Sequence, residues 1–110
     1  MTEPQLRLCS LDEIVEGESK GFVLGERKLF AIKQQGKLYI YQNRCPHLGI
    51  PLEWVADQFL DSSGSMIQCA NHGALFVIKT GKCVTGPCNG RALIPVTYTL
   101  DAGDVLIPRA

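Results

Sequence analysis

No stretch of the sequence approaches the roughly 18 consecutive apolar residues that a membrane-spanning helix needs, and no membrane association is expected. The opening residues Met1-Thr2-Glu3-Pro4-Gln5 have neither the basic nor the apolar region of a secretory leader and no twin arginine. A cytoplasmic location is expected. Charge of one sign is also lacking: 11 Lys and Arg stand against 11 Asp and Glu. That balance gives no basic footprint for nucleic acid and no polybasic patch for a membrane surface, so neither partner is expected. The cysteines number 5, which rules out full pairing. In a reducing compartment cysteine serves as a metal ligand, a catalytic group or a small core residue rather than as a scaffold. Repeats, low-complexity tracts and long amphipathic helices are missing. Histidine is scarcest among the groups that carry chemistry, with 2 in 110 residues.

What is present is a hydrophobic fraction of 45%, enough for one core and one domain over residues 1–110. Gly and Pro punctuate short apolar runs, as in many short strands joined by turns. Strands are predicted at Gln5 to Cys9, Gly21 to Leu24, Lys28 to Gln34, Lys37 to Gln42, Met66 to Gln68, Leu75 to Ile78, Arg91 to Leu100 and Val105 to Ile107. Gln35-Gly36 reads as the tight turn of a hairpin. Lys79-Thr80-Gly81-Lys82 and Asp101-Ala102-Gly103-Asp104 also have turn composition. Ser10-Leu11-Asp12-Glu13 has capping-box spacing and predicts one helical turn, ended by Gly17. Glu53 to Leu60 is either a short helix or irregular, and Asp61 to Ser65 a turn. The fold class is all-β, an antiparallel sandwich or barrel.

Two short boxes carry the chemistry: Cys45-Pro46-His47-Leu48-Gly49 and Cys69-Ala70-Asn71-His72-Gly73. Both histidines of the chain fall inside them, each just after a cysteine and each followed closely by glycine. Each box offers one soft thiolate and one borderline imidazole from a loop between predicted strands. Tetrahedral zinc accepts such a Cys2His2 set. Zinc fingers, however, usually place both cysteines in one knuckle and both histidines in the other. Mixed boxes suit a binuclear cluster in which one iron takes both cysteines and the other both histidines.

With Gly73-Ala74-Leu75-Phe76, Thr80-Gly81-Lys82-Cys83 and Gly86-Pro87 beside them, these boxes resemble the Rieske [2Fe–2S] ferredoxin family over nearly the whole chain. The resemblance implies a small cluster-binding subdomain built from loops at about 43–52 and 67–76. It implies one cluster per chain, with Cys45 and Cys69 on the buried iron and His47 and His72 on the outer one. It also implies partners: a flavin-dependent ferredoxin reductase as donor and a terminal oxygenase as acceptor. The interval between the boxes is longer than is common in the family, and Ala70 stands where many relatives carry proline.

Quinol-oxidising members carry a serine and a tyrosine after the second box, whose hydroxyls stabilise the reduced cluster, and an extra cysteine in each box that forms a disulfide. Here those positions hold Ala74 and Phe76, with Ile50 and Asn71 or Ala70 in place of the cysteines. A centre in the lower part of the Rieske span, about −150 to +300 mV, is expected. Leu48, Ile50, Pro51, Ala74 and Pro87 form either an apolar docking collar or packing over the loops. Cys9, Cys83 and Cys88 read as small buried thiols, with a Cys83–Cys88 redox pair as the alternative. Trp54 reads as packing.

A ring-hydroxylating oxygenase also needs a mononuclear iron held by two histidines and a carboxylate. No histidine is left for it, so the chain is expected to carry electrons and not to be an enzyme. Two other readings stand beside an oxygenase ferredoxin: the Rieske-like small subunit of an assimilatory nitrite reductase, and a zinc-stabilised interaction module.

Overall fold

The computed structural model describes residues 5–44, 52, 57–70, 73–86 and 90–108. Among them are nine strands: β1 Gln5–Ser10, β2 Ser19–Leu24, β3 Arg27–Gln34, β4 Lys37–Gln42, β5 Met66–Gln68, β6 Leu75–Val77, β7 Cys83–Thr85, β8 Thr99–Asp101 and β9 Asp104–Pro108. A single 3-10 turn, Leu11–Glu13, follows β1. The strands form three antiparallel three-stranded sheets, ordered β1-β9-β8, β2-β3-β4 and β5-β6-β7.

The middle sheet separates two cores. In β3 the run Leu29-Phe30-Ala31-Ile32 is buried throughout. Successive side chains of a strand point to opposite faces, so this run feeds both sides. Leu29 and Ala31 pack with Ile40, Val105 and Ile107 against the β1-β9-β8 sheet. Phe30 and Ile32 pack with Tyr41, Phe59, Ile67 and Phe76 against the β5-β6-β7 sheet. An unalternating apolar run is what a strand covered on both faces requires. The second of these cores positions the candidate site.

The β3–β4 hairpin turns at Gln35-Gly36, with φ of +53° and +75°, and Ala102-Gly103 turns β8 into β9 at +51° and +88°. Two consecutive left-handed residues match the right-handed twist of the flanking strands. The Ser10 amide donates to the Glu13 carboxylate at 2.5 Å, closing the expected capping box.

Five expectations need correction. Gly17 does not end the 3-10 turn, which stops at Glu13. Gly17 instead donates to the Lys33 carbonyl at 2.7 Å and starts the approach to β2, which begins two residues earlier than predicted, at Ser19. The third strand starts at Arg27, one residue before the predicted Lys28, so Gly25-Glu26 turn β2 into it. β6 ends at Val77, because the chain turns at Ile78 and the Gly81 amide returns to the Val77 carbonyl at 2.7 Å. The stretch from Arg91 to Leu100 is not one strand. Its first part pairs with β7 through Cys83 N–H to Arg91 O, 2.9 Å, and its middle runs beside β4 through Gln42 N–H to Ile94 O, 2.9 Å, and Val96 N–H to Ile40 O, 2.8 Å. Pro95, which lacks an amide donor, sits where the segment passes Tyr41. A segment that switches sheets bonds to each only briefly, and only Thr99–Asp101 becomes a strand.

This crossing is tightly packed. The Tyr41 hydroxyl donates to the Ile78 carbonyl at 2.6 Å, and burial pushes its phenol up to about 12, keeping it a neutral donor. A Cβ on Gly81 would lie 2.7 Å from the Tyr41 ring.

Candidate metal centre

The second box is the connection of the β5–β6 hairpin. Beyond the last strand pair, Gln68 with Leu75, the Cys69 amide donates to the Ala74 carbonyl at 2.9 Å and the Gly73 amide to the Cys69 carbonyl at 2.8 Å. Gly73 has φ of +67°, a left-handed conformation that glycine adopts without a Cβ penalty. The turn therefore holds Cys69 at its buried end, fully enclosed with Leu52, Phe76 and Cys83. His72 lies outside the described residues.

The first box starts where β4 ends. The Asn43 amide donates to the Lys28 carbonyl at 2.8 Å and so stays on the middle sheet. Cys45 and His47 lie outside the described residues. The chain returns at Leu52, whose amide donates to Asn43 Oδ1 at 2.8 Å. The Leu52 carbonyl accepts the Ala70 amide at 2.8 Å. One residue thus joins the ends of the first box and ties them to the second.

A third segment covers the second box. Gly86, at φ +101°, lies so close that a Cβ there would stand 2.8 Å from Ala74 Cα and 2.9 Å from its Cβ. Ala74 is 0% exposed. Of the two readings left open, docking collar or packing, Ala74 takes the second: it packs beneath Gly86 and presents nothing to a partner. Leu48, Ile50, Pro51 and Pro87, the other collar candidates, lie outside the described residues, as do Trp54 and Cys88. Phe76 is also fully buried, in the core below Cys69. Cys83 is buried, and its thiol donates to the Thr85 carbonyl at 3.3 Å. Cys9 belongs to the other core, where burial, with the nearby Glu13 carboxylate, pushes its thiol up. It stands across the middle sheet from Cys69.

The long interval between the boxes returns to the fold through residues 57–61. Asp57 accepts the Ser19 hydroxyl on its carbonyl at 2.7 Å and the Gly21 amide on its carboxylate at 2.8 Å. Phe59 stacks on Phe30 with centroids 4.4 Å apart and rings 6° from parallel. Its carbonyl accepts the Gln68 amide at 2.9 Å, and the Asp61 amide reaches the Met66 carbonyl at 2.9 Å. Residues 59–61 therefore add a partial strand beside β5, and Asp61 to Ser65 forms the expected turn. The Asp61 carboxylate is held below the usual carboxylate range, chiefly by the Ser63 hydroxyl that donates to it at 2.8 Å.

Sequence reasoning missed Asn43 and Leu52. Asn43 is the buried polar residue among the described residues. A readable signal was an Asn directly between an apolar strand and a ligand box, since Asn side chains readily bond to nearby backbone.

The donor set fits a [2Fe–2S] group. Cys69 offers its thiol from an apolar enclosure, the ends of the two loops are bonded through Leu52 and Ala70, and the second box is closed by the left-handed turn at Gly73. The family described as "Rieske [2Fe-2S] domain" matches residues 5–100. The ferredoxin component of the alkene monooxygenase system of Xanthobacter autotrophicus is 28% identical over 100 residues, 91% of this chain and 77% of that one. The ferredoxin component of the naphthalene 1,2-dioxygenase system of Pseudomonas aeruginosa is 30% identical over 87 residues, 79% of each. The solved structure of the Sphingomonas yanoikuyae B1 ferredoxin superposes with a TM-score of 0.77 at 25% identity, covering 97% of this chain and 100% of that one.

Proposed function

Because the chain belongs to the Rieske [2Fe–2S] domain family, we propose that it is a low-potential cytoplasmic ferredoxin, carrying single electrons from a flavoprotein reductase to a terminal oxygenase, with Cys45, His47, Cys69 and His72 as ligands. The family's cofactor, a [2Fe–2S] cluster bound by Cys and His, supplies a one-electron centre when bound. The observation that carries the reading is the enclosure of Cys69: a thiol at the buried end of a glycine-closed turn, bonded through Leu52 to the other box. The ferredoxin roles of the oxygenase-system relatives support the choice of partners. With both histidines assigned as ligands, the chain has no imidazole for a substrate site, and it acts as a carrier rather than an enzyme.

The residues of the chain bias the potential. Ala74 and Phe76 carry no hydroxyl, and both are buried, so neither side chain donates a hydrogen bond that would stabilise added negative charge on a nearby sulfide. A redox titration is expected to place the midpoint in the lower part of the span of about −150 to +300 mV, and a value above roughly +100 mV contradicts the reading. Ala74→Ser, which adds one buried hydroxyl, is expected to raise the midpoint in the same titration. The carrier role is tested by anaerobic mixing with NADH and the purified reductase of a naphthalene dioxygenase system. Rapid bleaching of the visible spectrum supports it, and a protein that this reductase leaves oxidised while dithionite bleaches it contradicts it.

A further inference from the structure

We propose that Asn43 is a positioning residue for the cluster, its side chain setting the spacing between the two ligand loops. The inference rests on the ligand assignment above. Asn43 is 8% exposed and held to β3 by its own amide. Its Oδ1 accepts the amide of fully buried Leu52 at 2.8 Å. The bond closes a loop that contains both ligands of the first box, Cys45 and His47. A bond doing only that would be local. Here the Leu52 carbonyl also accepts the amide of Ala70, at 2.8 Å, the residue directly after Cys69. The path from β3 through Asn43 and Leu52 to Ala70 fixes one ligand loop against the other.

In an enclosure this dry, an amide left without its acceptor is costly, and the backbone shifts to rewet or re-pair it. Either shift moves Leu52, and with it both loops. The binuclear group demands four donors at fixed separations, so its retention and electronic structure report on that movement.

The test uses the iron-loaded protein and the variants Asn43→Leu, which keeps the volume and removes the acceptor, and Asn43→Asp, which keeps an acceptor oxygen. Ile107→Ala, in the core across the middle sheet, serves as a control for plain loss of stability. Asn43→Leu is expected to lose its cluster roughly 10- to 100-fold faster than the wild type and to show an altered electron paramagnetic resonance line shape and midpoint when reduced. Asn43→Asp is expected to recover the wild-type line shape and most of the retention. The control is expected to keep the wild-type line shape and midpoint. Asn43→Leu with the wild-type line shape, and cluster loss no faster than the control, overturns the inference alone, whereas a wild type without iron and sulfide overturns the ligand assignment and this inference with it. Should Asn43→Leu fail to fold, hydrogen exchange on the wild type decides: Leu52 and Ala70 amides protected to the same degree support the inference, and exchange of either at an open-loop rate overturns it.

Discussion

Cys69→Ala is expected to yield a colourless protein, with iron and acid-labile sulfide falling from two of each per chain to near zero. The thiol sits fully buried at the end of a turn, in the same core as Leu52, Phe76 and Cys83, and nothing in alanine replaces a ligand there. Loss of the group also removes the link between the two loops, because metal-binding free energy is in part folding free energy. A lower melting temperature should therefore accompany the loss of colour. Cys9→Ala provides the contrast. Cys9 is equally buried, but in the core on the far side of the middle sheet, and the variant should keep its full iron while losing a little stability. Visible absorption with iron and sulfide analysis reads both, and a Cys69→Ala protein that keeps the wild-type spectrum contradicts the assignment.

Phe59→Ala carries the next largest expected effect. Phe59 is fully buried and stacked on Phe30, which itself lies in the doubly covered run of β3. Its backbone continues the sheet beside β5 through the Gln68 amide. Truncating a buried phenylalanine costs about 3–5 kcal/mol. For a domain of this size that lowers the melting temperature by on the order of 10–20 °C. Because Phe59 shares its core with Leu52 and Cys69, the cavity opens beneath the ligand loops, and faster loss of cluster should follow. Val23→Ala, at a side chain 68% exposed, should leave both readings near the wild type. Thermal unfolding of the loaded proteins followed by circular dichroism, together with the visible spectrum over time, checks the pair.

The parts of the fold that were legible in the sequence are those where local chemistry and tertiary burial agree. The β3–β4 hairpin is one: its unbroken apolar run needs two covered faces, and Gln35-Gly36 supplies the turn. The β5–β6 hairpin is another, because the second box is itself its connection. β7 was not legible, since Cys83 is buried while Val84 and Thr85 are exposed, which leaves no alternation to read over three residues. The stretch after Arg91 misled for the opposite reason: its composition suits a strand, but its bonds divide between two sheets. At the site, the scarcity of histidine made the boxes readable without any geometry. Of the four proposed ligands only Cys69 lies among the described residues. The bonds around it, Asn43 to Leu52 and Leu52 to Ala70, join residues far apart in sequence, and no local pattern encodes such pairs.

The central claim is that two cysteines and two histidines of this chain hold one binuclear iron–sulfur group. The most direct test is electron–nuclear double resonance on the reduced protein grown with 15N-histidine, alongside iron and sulfide analysis. The account predicts two iron and two sulfide per chain, and two histidine nitrogens coupled to the unpaired electron. A colourless protein holding one zinc, or an iron–sulfur signal without histidine coupling, contradicts it.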